Sequence, residues 1–314
     1  MRAMSGARAS GCSFIASFLL VCGHATARAD SHPPAWLEPH EPMRLLGNTY
    51  YVGTRGLSSI LITSDEGHVL IDGGLQDAAP LIAANIEKLG FKLADVRTIV
   101  VSHAHFDHVG GVAELQRMTD ATVVASKSGA AALRRGYGGA DDPQFGLRAA
   151  FPAIEHVSVI KDGETLQVGL VAITGYYTPG HTPGGMSWSW WSCERLRCAY
   201  FVYADSLTPL AGAGFRFGDS ERNRRAVEDL RWSHYIIRNL RCDILLTPHP
   251  EASNLWGRLA EREQGKRDAL YDTNACRAYA NRARRALDER LEEEGKERAM
   301  RDAKQDAKRD IALQ

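Results

Sequence analysis

No surplus of either charge marks this 314-residue chain, in which 38 lysines and arginines face 38 aspartates and glutamates. That balance excludes a nucleic-acid binder relying on bulk positive charge, because no excess is left to neutralise phosphates. Long apolar runs are missing too. Phe14 to Cys22, broken by Ser17, is too short for the about 20 residues a membrane span needs. No solenoid-type repeat and no low-complexity linker interrupts the chain. Cysteine is absent from Asp30 to Ser192, and no Cys-x-x-Cys pair occurs, which argues against a thiolate zinc site. What remains is 44% hydrophobic and 24% charged, the composition of an ordinary globular protein. Length alone would allow two domains, but the chemistry described below draws on both halves, which favours one large domain.

The first residues read as a secretory signal peptide, residues 1–29. Arg2 and Arg8 give a positive start, the Phe14 to Cys22 run follows, and Ala27-Arg28-Ala29 supplies a small-x-small cleavage site before Asp30. An uncleaved anchor and a lipidated Cys22 are the alternatives. The run is short for the first, and Val21 is bulky for the second. Losing Arg2, Arg8 and Arg28 from a balanced total leaves the mature chain at −3. The expected location is the periplasm. Cys193, Cys198, Cys242 and Cys276 stay in the mature chain, and four cysteines allow three pairings. Cys193 and Cys198 flank a short connection between two strand-like runs, which suits a hairpin staple. Cys242 and Cys276 would then tie the chain before the last strand to the C-terminal helix. An oxidising compartment favours disulfides over free thiols.

Strands and helices alternate along the mature chain. Leu57 to Thr63 and His68 to Ile71 form a predicted hairpin around Ser64-Asp65-Glu66-Gly67. A helix over Ala78 to Leu89 stops at Gly90, and Val96 to Val101 has the apolar run of a buried strand. Helices are predicted at Val109 to Met118 and Lys127 to Arg135, with a strand at Thr122 to Ala125 between them. Gly136 to Ala149 reads as a surface loop. Further strands are predicted at Val157 to Ile160, Thr165 to Val168, Val171 to Tyr176, Met186 to Trp191, Ala199 to Tyr203 and Ile244 to Leu246. Asn223 to Leu240 is a long amphipathic helix. From Ala275 the chain is helical and charged, and past Leu287 it lacks an apolar stripe, so it should project or fray. Two αβ halves, each covering a sheet with helices, follow from this order. Trp188, Trp190 and Trp191 are assigned to the core.

The chemistry is concentrated in Ser102-His103-Ala104-His105-Phe106-Asp107-His108-Val109-Gly110-Gly111. In an extended loop, side chains at period two share a face, so His103, His105 and Asp107 can converge while His108 points elsewhere. One catalytic zinc needs three protein ligands and an open position. Four metal-capable side chains in six residues therefore suggest two adjacent metals. Imidazole and carboxylate without thiolate suit zinc or a similar borderline ion. His181, in a Gly- and Pro-rich loop, and His249, in Thr247-Pro248-His249-Pro250, each follow a strand and would complete six ligands. His32, His40, His68, His156 and His234 lack partner spacing. Asp72 ends a buried strand, where its carboxylate either orients the ligand loop or simply makes a turn. Gln144 is a candidate for touching substrate.

The His-x-His-x-Asp-His loop resembles the signature of the metallo-β-lactamase superfamily, and the similarity runs from about Met43 to Cys276. Tyr203-Ala204-Asp205-Ser206-Leu207-Thr208, the Thr-Pro-His-Pro ending and the late cysteine pair look like subclass B3. The resemblance implies a four-layer αβ/βα sandwich over residues 30–293, followed by a charged helical extension over 294–314. It implies that His103, His105 and His181 hold a first Zn2+, and that Asp107, His108 and His249 hold a second. Ser206 and Thr208 match positions that contact a substrate carboxylate. The implied activity is hydrolysis of a small-molecule β-lactam by a metal-generated hydroxide held near Asp107, with no catalytic serine, no nucleic acid and no stable membrane association. An exported lactonase or thioester hydrolase of the same fold is the alternative. Those relatives commonly bridge their metals with an aspartate in the Tyr203 to Leu207 region, and Asp205 is available.

Overall fold

The expected turn at Ser64 to Gly67 joins β3 (Ile60–Ser64) to β4 (Gly67–Ile71), with Ser64 opposite Gly67. A computed structural model describes residues 32–219 and 221–312, so the predicted signal peptide lies outside the described residues. Two short strands, β1 (Met43–Leu46) and β2 (Thr49–Tyr51), extend this hairpin into an antiparallel meander. Parallel strands β5 (Val96–Val100), β6 (Thr122–Ala125) and β7 (Val157–Val159) complete a seven-stranded sheet in chain order. Their crossovers carry α1 (Ala79–Lys88), α2 (Phe106–Val109), α3 (Val112–Thr119) and α4 (Lys127–Arg135). A parallel neighbour can be reached only by a crossover, so these helices cover one face of the sheet.

The second sheet is β8 (Thr165–Val168), β9 (Val171–Tyr177), β10 (Met186–Glu194), β11 (Arg197–Tyr203) and β12 (Ile244–Leu246), antiparallel except for the β11–β12 pair. Between β11 and β12 runs α5 (Glu221–Asn239), and α6 (Leu255–Glu263) and α7 (Ala275–Ala312) close the chain. Residue alternation sorts the strands into layers. Leu70 faces Ile82, Leu115 and Leu133 of the first helical layer, while Val69 and Ile71 face the other sheet. Phe201 and Tyr203 join that inter-sheet core, whereas Val202 turns to Ile237 and Tyr279 on the outer helices. Helix, sheet, sheet and helix thus make the four-layer αβ/βα sandwich.

Trp188 and Trp190 are fully enclosed, and their indole N–H groups donate to Val101 O and Thr49 Oγ1. Trp191 departs from the expectation. It is 44% exposed, because alternation along β10 turns it outward to Tyr200 and the Arg241 guanidinium. Cys193 and Cys198 face each other across the β10–β11 hairpin and are joined, as are Cys242 and Cys276. Of the two outcomes expected beyond Leu287, projection or fraying, the structure shows projection, with exposed side chains past Arg301. α7 stays helical to Ala312, supported by i,i+4 pairs such as Arg290–Glu294 and Lys296–Glu292.

Candidate metal centre

The loop edge of both sheets converges on one place. Asp72 follows β4, Ser102 to His108 follow β5, Asp205 follows β11 and His249 follows β12, all at C-terminal strand ends. Asp72 has a positive φ of 59°, which aspartate tolerates better than most residues. Its carboxylate accepts Ser102 N and Oγ at 2.7 Å each and Tyr203 OH at 2.8 Å. Burial pushes the Asp72 carboxyl above its ordinary range, against the opposing pull of His108 and these hydrogen bonds. The start of the histidine loop is thereby tied to a buried strand end.

From Ser102 the chain stays extended only as far as His105, which caps α2 with φ −105° and ψ 151°. Both His108 N and Val109 N donate to His105 O at 3.0 Å. Asp107 and His108 therefore lie on a helical turn, and the period-two expectation that places Asp107 with His103 and His105 fails there. Potential ligand atoms of His103, His105 and His181 lie within 4.8 Å of one another, and those of Asp107, His108 and His249 form a second such group. The groups adjoin through His103 and His108, whose ring centroids are 4.4 Å apart.

Each histidine of the first group rests one nitrogen on the protein. His103 Nδ1 donates to Asp205 Oδ1 at 2.7 Å, His105 Nε2 to Asp142 Oδ2 at 3.0 Å, and His181 Nδ1 to Thr208 O at 3.0 Å. Such partners fix tautomer and ring orientation, leaving His103 Nε2 and His105 Nδ1 free to ligate and His181 Nε2 turned to the Gln144 amide. Burial holds His103 well below the ordinary histidine range, lowers His181 to about 3 and lowers His249 to about 4, with neighbouring histidines adding to each effect. Burial also penalises charge on His108, but the Asp107 carboxylate 3.3 Å away outweighs it and raises that pKa. Against its own burial, Asp107 is held below the usual carboxylate range by His108 and His249.

His103 Nε2, both His108 nitrogens and Asp107 Oδ1 are buried with no hydrogen-bond partner among the described residues. Each such atom costs about 1–3 kcal/mol if left unsatisfied. Their crowding at one point, with five imidazoles and one carboxylate, fits a pair of borderline divalent cations. Neutral imidazoles and an ionised carboxylate are the ligating forms.

The remaining candidates lie around this cluster. Ser206 is buried just past β11, and exposed Thr208 supports His181 through both its carbonyl and Oγ1. Gln144 is buried, donates from Nε2 to His181 Nε2 at 3.2 Å and accepts from Arg148 Nε at 2.8 Å. It shares a 180 Å³ cavity with His105, Asp142 and Arg148. Asp142 is the residue that sequence reasoning missed; an acid two positions from Gln144 was the available signal. Asp205 is not part of either group. Its second oxygen faces Gly185, where a Cβ would come within 2.5 Å. His40 stacks on Trp256, His68 meets the edge of Phe91 and His234 reaches Leu207 O, all outside both groups. His32 stacks on Trp36, and exposed His156 also joins neither.

Comparison with known proteins bears on this geometry. A family model described as the metallo-beta-lactamase superfamily matches residues 52–216. The solved structure of Rm3 metallo-beta-lactamase is 49% identical with a TM-score of 0.81, covering 83% of this chain and 97% of that one. MEM-A1, a subclass B3 metallo-beta-lactamase from a soil metagenome library, is 45% identical with a TM-score of 0.81, covering 83% and 99%. MIM-1 from Novosphingobium pentaromativorans is 44% identical with a TM-score of 0.80, covering 86% and 96%. A hydroxyacylglutathione hydrolase of Rhodopseudomonas palustris (strain BisB5) is 38% identical over 106 residues, 34% of this chain. The chain spans only 32% of that curated relative's length.

Proposed function

Because the chain belongs to the metallo-β-lactamase superfamily, we propose that it is an exported subclass B3 enzyme that opens the β-lactam amide with two zinc ions. His103, His105 and His181 would hold one ion, and Asp107, His108 and His249 the other. Bound there, such ions bring the pKa of water to about 7 and polarise a carbonyl oxygen. The chain's own residues do the rest. Asp205, Asp142 and the Thr208 carbonyl keep three imidazoles in the ligating tautomer. Asp107, ionised and only partly satisfied by His108 and His249, offers an acceptor that orients a water proton. The Ser206 and Thr208 hydroxyls receive the substrate carboxylate, and the Gln144 amide lines the same approach. Residues 1–29 direct the chain to the periplasm, and residues 30–293 carry the activity.

One observation carries this reading over the thioester hydrolase alternative. Asp205 sits behind His103, hydrogen-bonded to Nδ1, and not between the two groups as a bridging ligand. The similarity to hydroxyacylglutathione hydrolases keeps that alternative as the comparison to beat. Purified protein is expected to hydrolyse a chromogenic cephalosporin, to lose that activity with a strong chelator and to regain it with zinc. Faster turnover of a hydroxyacyl thioester or an acyl lactone than of any β-lactam would overturn the assignment.

A further inference from the structure

Glu294 is a charged side chain outside the proposed reaction, yet it is only 5% exposed. It lies in α7 beyond the point where the helix loses its apolar stripe. Its Oε1 accepts from Arg290 Nε at 2.8 Å, and its Oε2 accepts the Gly218 backbone N–H at 3.2 Å. One turn later Arg298 Nη1 donates to Gly218 O at 3.3 Å, and Glu297 pairs with Arg216 at 3.1 Å. Beneath these contacts Phe217 is fully buried against Leu287, Val227 and Leu230. Residues 215–219 are thus seated on α7 by a small apolar core and held by charge-assisted bonds.

The same segment reaches towards the metal centre. Phe215 N donates to Gly212 O at 2.9 Å, and Gly212 N donates to Pro143 O at 2.8 Å. Pro143 stands between Asp142, which orients His105, and Gln144, which meets His181. At the near end of the loop, Tyr279 of α7 donates its hydroxyl to Asp205 O at 3.0 Å. One helix therefore grips the Asp205 to Asp219 loop at both ends. Beyond Arg301 the described side chains of α7 are all exposed, so the gripping part is confined to its middle turns.

We propose that Glu294 is a positioning residue. With Arg298 it braces residues 212–219 against α7, and through the Gly212–Pro143 bond it sets how the Asp142–Gln144 segment roofs the metal ligands and admits substrate. The catalytic consequence rests on the β-lactamase reading; the brace itself does not. The test uses full-length metal-loaded protein, its Glu294→Ala, Glu294→Gln and Arg298→Ala variants, amide hydrogen exchange and cephalosporin kinetics. Removing one such hydrogen bond is expected to speed exchange at Gly218 and Gly212 about tenfold. KM should rise about three- to tenfold with kcat within about twofold and metal content unchanged. Glu294→Gln, which keeps an acceptor for Gly218, should recover most of the wild-type KM. Arg298→Ala keeps the buried carboxylate and covers the case in which Glu294→Ala does not fold. Wild-type exchange at Gly212 in both variants that fold, or a fall in kcat at unchanged KM, would overturn the proposal. If the wild type hydrolyses no β-lactam, the functional reading fails, and exchange at Gly212 alone decides for or against the brace.

Discussion

His103, His105 and His181 each rest one ring nitrogen on a protein acceptor, whereas His108 rests neither on any group but the neighbouring Asp107. The first trio comes from an extended segment and a Gly- and Pro-rich loop, and all three rings are buried. In the second, two members share one turn of α2 and the third, His249, keeps a third of its side chain exposed. The first set is oriented before any ligand arrives. In the second, His108 leans on Asp107 alone, while His249 meets the Gly56 backbone and the Trp36 ring as well as Asp107. Orientation supplied in advance strengthens binding, because less ordering remains to be done when the metal binds. The proposed first site should therefore fill before the second.

Removing a member of the first trio should have the largest effect. His105→Ala is expected to lower β-lactam turnover more than about a hundredfold, beyond the usual reach of a supporting group. His156→Ala should be near neutral. Equal losses would mean that the trio is misassigned. Next come the supports. Asp205→Asn and Asp142→Asn should each weaken metal binding or activity about 10- to 100-fold while both metals still bind at saturating zinc. If Asp205→Asn instead abolishes one site outright, Asp205 is a ligand and the contrast between the groups collapses. Ser206→Ala addresses the proposed contact with the substrate carboxylate. It should lower kcat/KM for carboxylate-bearing β-lactams about 10- to 100-fold at unchanged zinc content, since a bond to a charged group is worth about 1.5–3 kcal/mol. Lost zinc in that variant would move Ser206 to the metal side.

The smallest effect is a pH dependence that one member of each group shares. His181 is lowered to about 3 and His249 to about 4, both mainly by burial. The unfolded chain, with histidines near the ordinary value of about 6.5, binds more protons than the folded chain below that pH. Metal-free protein should therefore be most stable above about pH 6.5 and lose stability as pH falls towards about 4. Melting curves of the metal-stripped protein that rise on acidification over this window would contradict the buried, neutral state of these rings.

Much of this contrast was legible in the sequence, and the part that was not has a physical reason. His103, His105 and His108 are close in sequence, follow an apolar strand and precede a glycine pair. Their role needs no distant contact to be suspected. Asp107 was placed wrongly by period-two reasoning because a four-residue helix begins one position earlier, too short to show a period of its own. The support from Asp142 spans 37 residues and that from Asp205 spans 102, so beyond the nearness of Asp142 to Gln144 no local pattern pointed to either bond. Strands β1 and β2 went unread because three or four residues carry too little alternation to register. Two αβ halves were readable from element order, and the four-layer sandwich from the family resemblance. The helical C-terminal extension was readable too, but the loop that packs on α7 from about 80 residues away was not.

The bond between Cys242 and Cys276 has a consequence for recovery from damage. It closes a ring that contains β12, His249 and α6 and ends at the first turn of α7. If heat opens the outer layers, His249 and the root of the gripping helix cannot drift apart beyond the span of that ring. A closed loop has less freedom to explore, so the search for the native contacts is shorter. The disulfide thus keeps a tether between the edge that carries His249 and the helix that seats the neighbouring loop.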